Sequence, residues 1–200
     1  MIRLVPENGE VHGLVRVRSR SPEGAPFRAC GVAIFPGGAF GAKVVAVDID
    51  AAKLDFATSL GADEVIDAST VQKVPKAILQ LTNGGVDASI DALGSTVTSV
   101  NSIKCLRRQG RHVQAGLLLG DQSQPMVPMG RVIAYELEIL GSHGMSANDY
   151  PEMLDAVAAG RIDPSQLIGS SIALSEAPTV LAAMNEFQSV GMTVIEDFSS

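Results

Sequence analysis

The stretch "GAKVVAVDIDAAKLDFATSLGADEVID", residues 41–67, decides the fold of this chain. Its first part, "KVVAV", is a nearly continuous apolar run, typical of a strand covered on both faces, and it is followed by Asp48. "AAKLDFATSL" then spaces its apolar residues at helical intervals, and Gly61 follows where a left-handed cap is needed. "DEVID" has the composition of a second strand. This order of strand, helix and strand predicts a βαβ unit in a parallel sheet.

The same alternation continues toward the C-terminus. Periodicity and Gly/Pro punctuation predict helices over 75–81, 96–109, 149–160 and about 176–187, and strands over 86–93, 112–118, 137–142, 170–174 and 191–196. In the third of these helices Pro151 suits the first turn and Gly160 suits the end. The predicted fold class is therefore α/β, a doubly wound, Rossmann-like and mostly parallel sheet.

Composition limits the classes of partner. The net charge of −7 and a pI near 4.9 exclude binding to nucleic acid or to anionic membranes as the main function, because both need the opposite charge. A local basic region around Arg16 to Arg28 is more simply a solvated arm than a nucleic-acid patch. No long apolar run or signal-peptide pattern occurs, so we expect a cytoplasmic protein. Cys30 and Cys105 are expected to be reduced thiols.

One half of a dinucleotide site is recognisable. An acid at the end of the second strand of such folds binds the adenosine ribose hydroxyls and repels a 2′-phosphate, and Asp48 stands at this place. The other half, a G-x-G-x-x-G turn that brings backbone close to the pyrophosphate, occurs nowhere in the chain. A role for Asp48 as nothing more than a cap of the next helix stays open.

The first 40 residues contain no convincing first strand. The run 30–35 lies too close to 43–47 for a parallel crossover. The run 13–19 is far enough away, but prolines and glycines would break the crossover helix. We therefore expect the first strand and the glycine loop to be lacking or altered.

From Gly41 to about Phe198 the chain resembles the cofactor-binding domain and C-terminus of zinc-dependent alcohol dehydrogenases, in the medium-chain dehydrogenase/reductase superfamily. The resemblance is carried in order by the opening stretch and by "VDASIDALGS", "GRHVQAGLLLGDQSQPMVPMGRVIAYELEILGSHGM" and "DYPEMLDAVAAGRIDPSQLIG". It implies hydride transfer between an alcohol or aldehyde and NAD(P), with zinc polarising the alcohol oxygen. Asp48 favours NAD over NADP.

The resemblance also implies a set of cofactor-binding residues on the ends of the predicted strands. Asp48 and Lys53 would lie at the adenosine ribose, and the others would line the rest of the cofactor: Leu93, Gly94, Ala115, Gly116, Leu117, Ser142 and His143. His143 as a proton relay is the alternative to a plain loop histidine. No catalytic residue is identified.

The family's catalytic domain and its zinc ligands have no counterpart here. The chain's Cys and His residues do not have the spacing of a zinc site, so zinc is not expected in this chain. We expect three parts: an atypical remnant or arm over 1–40, an NAD-binding domain over 41–165, and a segment over 166–200 that in the family returns to the catalytic domain. A deletion, a frameshift or a mispredicted start would each account for the first part.

Three other functions compete with this interpretation. A short-chain dehydrogenase needs a Tyr followed four residues later by Lys, and neither Tyr135 nor Tyr150 has one. A methyltransferase also needs a glycine loop. A non-catalytic nucleotide-binding module that dimerises through the edge strand 137–142 stays open. The sequence thus predicts an alcohol dehydrogenase-like protein with impaired NAD binding and low or no activity of its own.

Overall fold

The structure is a computed structural model that describes residues 12–13, 42–144, 146–184 and 189–199, the first pair through its backbone only. The strands are β1 His12–Gly13, β2 Lys43–Asp48, β3 Glu64–Asp67, β4 Val86–Asp91, β5 Leu106–Gln114, β6 Glu138–Gly141, β7 Ile168–Ala173 and β8 Met192–Asp197. The helices are α1 Ala51–Ser59, α2 Val74–Leu81, α3 Thr96–Lys104, α4 Met129–Tyr135, α5 Tyr150–Ala158 and α6 Ala177–Ala183.

The strands form a parallel Rossmann-like arrangement, which confirms the predicted fold class. β2 pairs with β1 on one side and β3 on the other, and β5 pairs with β4 and β6. β1 also contacts β4, so the two sets of three strands meet there. The resulting order 3-2-1-4-5-6 is that of dinucleotide-binding folds. In folds with this strand order the carboxyl ends of the parallel strands share one edge, so we assign those of β2, β4, β5 and β6 to the same edge.

A first strand with two described residues is present, which agrees with the expectation that this strand is lacking or altered. His12 pairs with Lys43 and Gly13 pairs with Val44, in parallel, at the position between β2 and β4. The strand-like run 13–19 was not expected to supply this strand, because the prolines and glycines between it and β2 would break a crossover helix. Pairing itself requires only a connection of sufficient length, and the two open strand edges of β2 and β4 offer unpaired backbone groups. The run 30–35 lies outside the described residues.

Local signals fix the ends of the first helix. The side chain of Asp50 accepts a hydrogen bond from the Ala52 backbone at 2.9 Å and caps the N-terminus of α1. The helix ends before Gly61, whose φ of +99° is the left-handed conformation that glycine adopts without strain. Both ends of α1 thus lie where the sequence predicted them, to within one residue.

The predicted helix over 96–109 is wrong in its last third. α3 ends at Lys104, and β5 begins at Leu106 opposite Val86. Leu106 is fully buried, so its pairing with β4 outweighs the helical spacing that suggested a longer helix. Arg107, near the start of β5, forms an ion pair with Asp87 on β4.

The hydrophobic core lies between the sheet and the helices on its faces. It is formed by Val45, Ile66, Ile78, Val86, Ile103, Cys105, Leu106 and Leu137. Burial raises the pKa of the Cys105 thiol to about 12, which keeps the thiol protonated and unreactive. This confirms Cys105 as a reduced core residue.

The C-terminal strands make a separate two-stranded sheet. β7 pairs in parallel with β8, which agrees with the strands predicted over 170–174 and 191–196. α6 covers the first part of the helix predicted over 176–187, and residues 185–188 lie outside the described part. Among the described residues, no helix combines the length and the apolar character needed to cross a lipid bilayer.

The core packing gives a stability prediction. Ile78 on α2 is fully buried, whereas Leu81 on the same helix is 41% exposed. Ile78→Ala is expected to lower the free energy of unfolding by about 2–5 kcal/mol, because it removes buried methyl groups and leaves a cavity. Leu81→Ala, the matched control, should cost about 1 kcal/mol or less. Urea unfolding of both variants measures this difference, and equal losses would contradict the placement of α2.

Candidate cofactor-binding edge

The predicted site residues stand at the ends of parallel strands. Asp48 is the last residue of β2, Leu93 and Gly94 follow β4, residues 115–117 follow β5, and Ser142 follows β6. Because these strands are parallel neighbours in one arrangement, the residues share its carboxyl edge. In open α/β folds ligands bind at this edge.

Asp48 is held by the backbone of its own turn. Its Oδ1 accepts hydrogen bonds from the amides of Ile49 at 2.8 Å and Asp50 at 3.0 Å. The cap of α1 is Asp50 and not Asp48, so the alternative in which Asp48 merely caps the helix does not hold. Asp48 is half-buried at the carboxyl end of β2, and Lys53 lies in the first turn of α1. The carboxylate is thus fixed in orientation and close to solvent.

A buried carboxylate that was not predicted from the sequence organises the next turn. Asp91 ends β4, is only 4% exposed, and its Oδ1 accepts from the amides of Leu93 at 3.1 Å and Gly94 at 3.2 Å. Its backbone carbonyl accepts from Ala115 at 2.9 Å and Gly116 at 2.8 Å. One residue therefore holds the turns after both β4 and β5.

The two turns touch through their glycines. A Cβ added to Gly116 would meet the Gly94 nitrogen at 2.3 Å, and a Cβ added to Gly94 would meet the Leu117 carbonyl oxygen at 2.3 Å. Gly94 also has a φ of +85°, which disfavours other residues. Both predicted cofactor-binding glycines are therefore required for the close approach of these turns.

A polar network extends from this contact into the interior. Gln114 Nε2 donates to Asp91 Oδ2 at 2.8 Å, and Gln114 Oε1 lies 3.2 Å from His112 Nε2. The other nitrogen of His112, Nδ1, lies 3.0 Å from the Ser102 hydroxyl. Burial lowers the pKa of His112, against smaller opposing effects from Gln114 and Asp91, and favours the neutral imidazole.

Sequence reasoning missed this network, although a signal was present. The strands "VDASIDAL" and "GRHVQAGLL" carry polar residues at positions where a fully covered strand is usually apolar. Such residues need partners inside the fold. In the structure Asp91 lies opposite Gln114 on the neighbouring strand. This alignment of the two strands cannot be read from composition.

The last two predicted residues lie beyond β6. The Ser142 amide donates to the Gln114 carbonyl at 2.9 Å, which continues the pairing of β5 and β6 by one residue. His143 is exposed in the following turn. His143 is not among the partners of the buried polar network. Its two alternative roles, proton relay and plain loop histidine, stay predictions.

The residues present do not fit a zinc centre within the described ranges. No group of three or more His, Cys, Asp or Glu side chains is arranged there to hold a metal ion. Cys105 belongs to the core and His112 to the buried polar network. Cys30 lies outside the described residues. That this chain holds no zinc stays a prediction.

A family model described as "Zinc-binding dehydrogenase" matches residues 33–159. The chain belongs to the zinc-binding dehydrogenase family. This confirms the resemblance to zinc-dependent alcohol dehydrogenases stated from the sequence.

Curated relatives in this family include polyol dehydrogenases. The chain is 34% identical over 144 residues to a probable D-xylulose reductase A of Aspergillus fumigatus, a match that covers 70% of this chain and 39% of the relative. It is 32% identical over 143 residues to an L-idonate 5-dehydrogenase of Vitis vinifera, covering 69% of this chain and 38% of the relative. The chain thus spans about two fifths of the length of these relatives.

Solved structures with a similar fold include alcohol dehydrogenases. One is an NAD-dependent alcohol dehydrogenase, 28% identical with a TM-score of 0.72, and the match covers 82% of this chain and 46% of that chain. Another is the alcohol dehydrogenase of Aeropyrum pernix, 27% identical with a TM-score of 0.70, covering 81% and 45%. The dehydrogenase fold therefore extends over most of this chain.

The contact between the two turns can be tested by substitution. Gly116→Ala is expected to lower the free energy of unfolding by about 1–3 kcal/mol, because the added methyl group overlaps the Gly94 backbone. Gly130→Ala is the control, since a Cβ at this exposed helical position meets nothing within 4 Å. Urea unfolding measures both. A Gly116→Ala protein as stable as the Gly130→Ala protein would mean that the turns are not in contact.

Proposed function

We propose that this chain is the NAD-binding part of an alcohol dehydrogenase-like oxidoreductase. The observations that carry the proposal are the fixed Asp48 carboxylate at the carboxyl end of β2 and the touching turns at the carboxyl ends of β4 and β5. Family membership supports the reaction class, because relatives and neighbours are named as dehydrogenases, among them an L-idonate 5-dehydrogenase and an NAD-dependent alcohol dehydrogenase. The reaction would be hydride transfer between an alcohol or aldehyde and NAD.

The adenosine side of the cofactor would meet Asp48. Its Oδ1 is occupied by two backbone amides, so Oδ2 is the oxygen that can accept from a ribose hydroxyl. A negative charge here also opposes the 2′-phosphate of NADP. Lys53 would lie beside the same ribose.

The other end of the cofactor would meet the turns after β4, β5 and β6. Leu93 and Leu117 are 59% and 57% exposed, which leaves apolar surface at the edge where a nicotinamide ring would lie. The backbone of Ala115 and Gly116 would line the same edge, together with Ser142. When bound, NAD supplies the hydride acceptor, and the chain's own residues orient it.

A second part of the proposal is that this chain has low or no dehydrogenase activity of its own. The glycine motif that grips the pyrophosphate is absent from the sequence, so NAD is expected to bind weakly. The described residues offer no zinc ligand set, so the proposed reaction assigns no step to a metal ion held by them. The substrate is not assigned.

The alternative is a non-catalytic module that binds nucleotide and dimerises. β6 lies at the edge of its sheet and carries Ile139, which is 41% exposed. Edge strands with exposed apolar residues invite pairing with a second chain. A homodimer through β6 would be compatible with either function.

Cofactor titration tests the proposed site. Asp48→Asn is expected to weaken NADH binding about tenfold and to narrow the preference for NADH over NADPH, because a charge-assisted hydrogen bond to the ribose is lost. Asp55→Asn on the exposed side of α1 removes the same charge away from the site and should bind as the wild type. NADH fluorescence measures both affinities.

Equal NADH affinity of the wild type and both variants would place the cofactor elsewhere. The same preparation, given an alcohol and NAD with and without added zinc, distinguishes an active dehydrogenase from a binding module. Turnover at an ordinary enzymatic rate, about 1 s⁻¹ or faster, would refute the proposed low or absent activity, while leaving the cofactor site in place.

The dimer is tested separately at β6. Because the Ser142 amide points to β5, alternation along the strand directs the Ile139 amide away from β5. Ile139→Pro removes this outward donor while keeping the pairing with β5, and we expect it to shift a dimer to monomer in sedimentation velocity. Glu138→Gln, on the same strand, should not. A wild-type protein that is monomeric at all concentrations would exclude the β6 dimer.

A further inference from the structure

Gln114 connects the two turns of the proposed cofactor site. Its Nε2 donates one hydrogen bond to Asp91 Oδ2 at 2.8 Å and one to the Gly116 carbonyl at 2.9 Å. An amide nitrogen carries two hydrogens, so both are used. Asp91 in turn holds the amides of Leu93 and Gly94. One side chain thus joins the turn after β4 to the turn after β5.

A contact with His112 fixes the orientation of the Gln114 amide. Since Gln114 Nε2 serves two acceptors, Oε1 faces His112 Nε2 at 3.2 Å, which must then carry a hydrogen. His112 Nδ1 is left as an acceptor for the Ser102 hydroxyl at 3.0 Å. Each polar atom of the network has a complementary partner, so the reversed amide orientation would place like groups together.

We propose that Gln114 is a positioning residue for cofactor binding: its amide, oriented by His112, keeps the turns 92–94 and 115–117 together in the form that meets the cofactor. The inference rests on the proposed function for its ligand, and on the network for its geometry. The side chain is not needed for the sheet, because β5 pairs with β4 and β6 through backbone groups. Its role is confined to the turns.

The alternative of a purely packing role is disfavoured by what Gln114 contacts. An apolar residue of similar size would leave the Asp91 Oδ2 oxygen without a hydrogen-bond donor in a site that is almost closed to water. Unpaired buried carboxylate oxygens are costly. That cost would fall on the carboxylate whose other oxygen holds the Leu93 and Gly94 amides.

The test replaces the amide with a carboxyl group of the same shape. Gln114→Glu removes both donors and places a second carboxylate against Asp91, which repels it at neutral pH. At acid pH one proton shared by the two carboxyl groups restores a donor. The titratable side chains that hydrogen-bond position 114 in the described structure are Asp91 and His112, so the wild type is measured at both pH values as the reference.

The readouts are the protection of the Gly94 and Gly116 amides from hydrogen exchange and the affinity for NADH. In Gln114→Glu both are expected to fall about tenfold or more at roughly pH 8, relative to the wild type, and to recover near pH 5. Gln114→Met, which lacks the donors and adds no charge, should lose protection at both pH values. This second variant keeps the test decisive if Gln114→Glu does not fold at pH 8.

The matched control is Gln166→Glu. Gln166 Nε2 also donates to an aspartate, Asp163 Oδ2 at 3.2 Å, but in an exposed turn before β7. This control should leave protection of Gly94 and Gly116 and NADH affinity unchanged.

Two failures are distinguishable. Gln114 variants that match Gln166→Glu in both readouts, in a protein that binds NADH, would overturn the positioning role alone. A wild type that binds no NADH would overturn the proposed function and the cofactor role together, whatever the exchange data show. Loss of protection and affinity that reverses at acid pH in Gln114→Glu supports the inference.

Discussion

The buried Asp91 carboxylate is the interaction on which the candidate site depends. It is nearly closed to solvent, and its oxygens accept from the turn after β4 and from Gln114, while its backbone carbonyl accepts from the turn after β5. A buried carboxylate is stable only when such donors surround it. Asp91 needs hydrogen-bond donors, and the turns at Gly94 and Gly116 leave no room for side chains, so both effects hold the two turns against each other. Buried groups therefore fix the shape of the edge.

The parallel sheet supplies the second constraint. β2 and β3 pair in parallel, as do β4, β5 and β6, and β1 lies between the two sets. Asp48 is thereby placed on the edge that also carries the Asp91 turns, although the two residues are far apart in sequence. The same fold recurs in solved alcohol dehydrogenases, whose match covers about four fifths of this chain. In open α/β folds of this kind ligands bind at the carboxyl edge of the strands.

Much of this could be predicted from the sequence, because the signals are local. The apolar run before Asp48, the capped helix that follows it and Gly61 predict the first βαβ unit without tertiary information. The end of α3 could not be predicted, since the burial of Leu106 against Val86 is a tertiary effect. The short first strand was missed for the same reason. Its two residues find their pairing partners in β2, which lies some thirty residues further along the chain, and such a long-range pairing is not visible in the local sequence.

The site, too, combines residues that the sequence predicted with contacts that depend on tertiary structure. The glycines and Asp48 could be placed through family resemblance, and the structure shows why Gly94 and Gly116 must lack side chains. The Asp91, Gln114 and His112 network depends on strand register, which a single sequence does not reveal.

The most direct test of the central claim is amide chemical-shift mapping of the whole chain during addition of NADH. We expect the shifts that change to belong to the turns at the carboxyl ends of β2, β4 and β5, including the amides of Asp50, Gly94 and Gly116. Changes confined to β7 and β8, or no saturable change at all, would contradict the claim that this edge binds the cofactor.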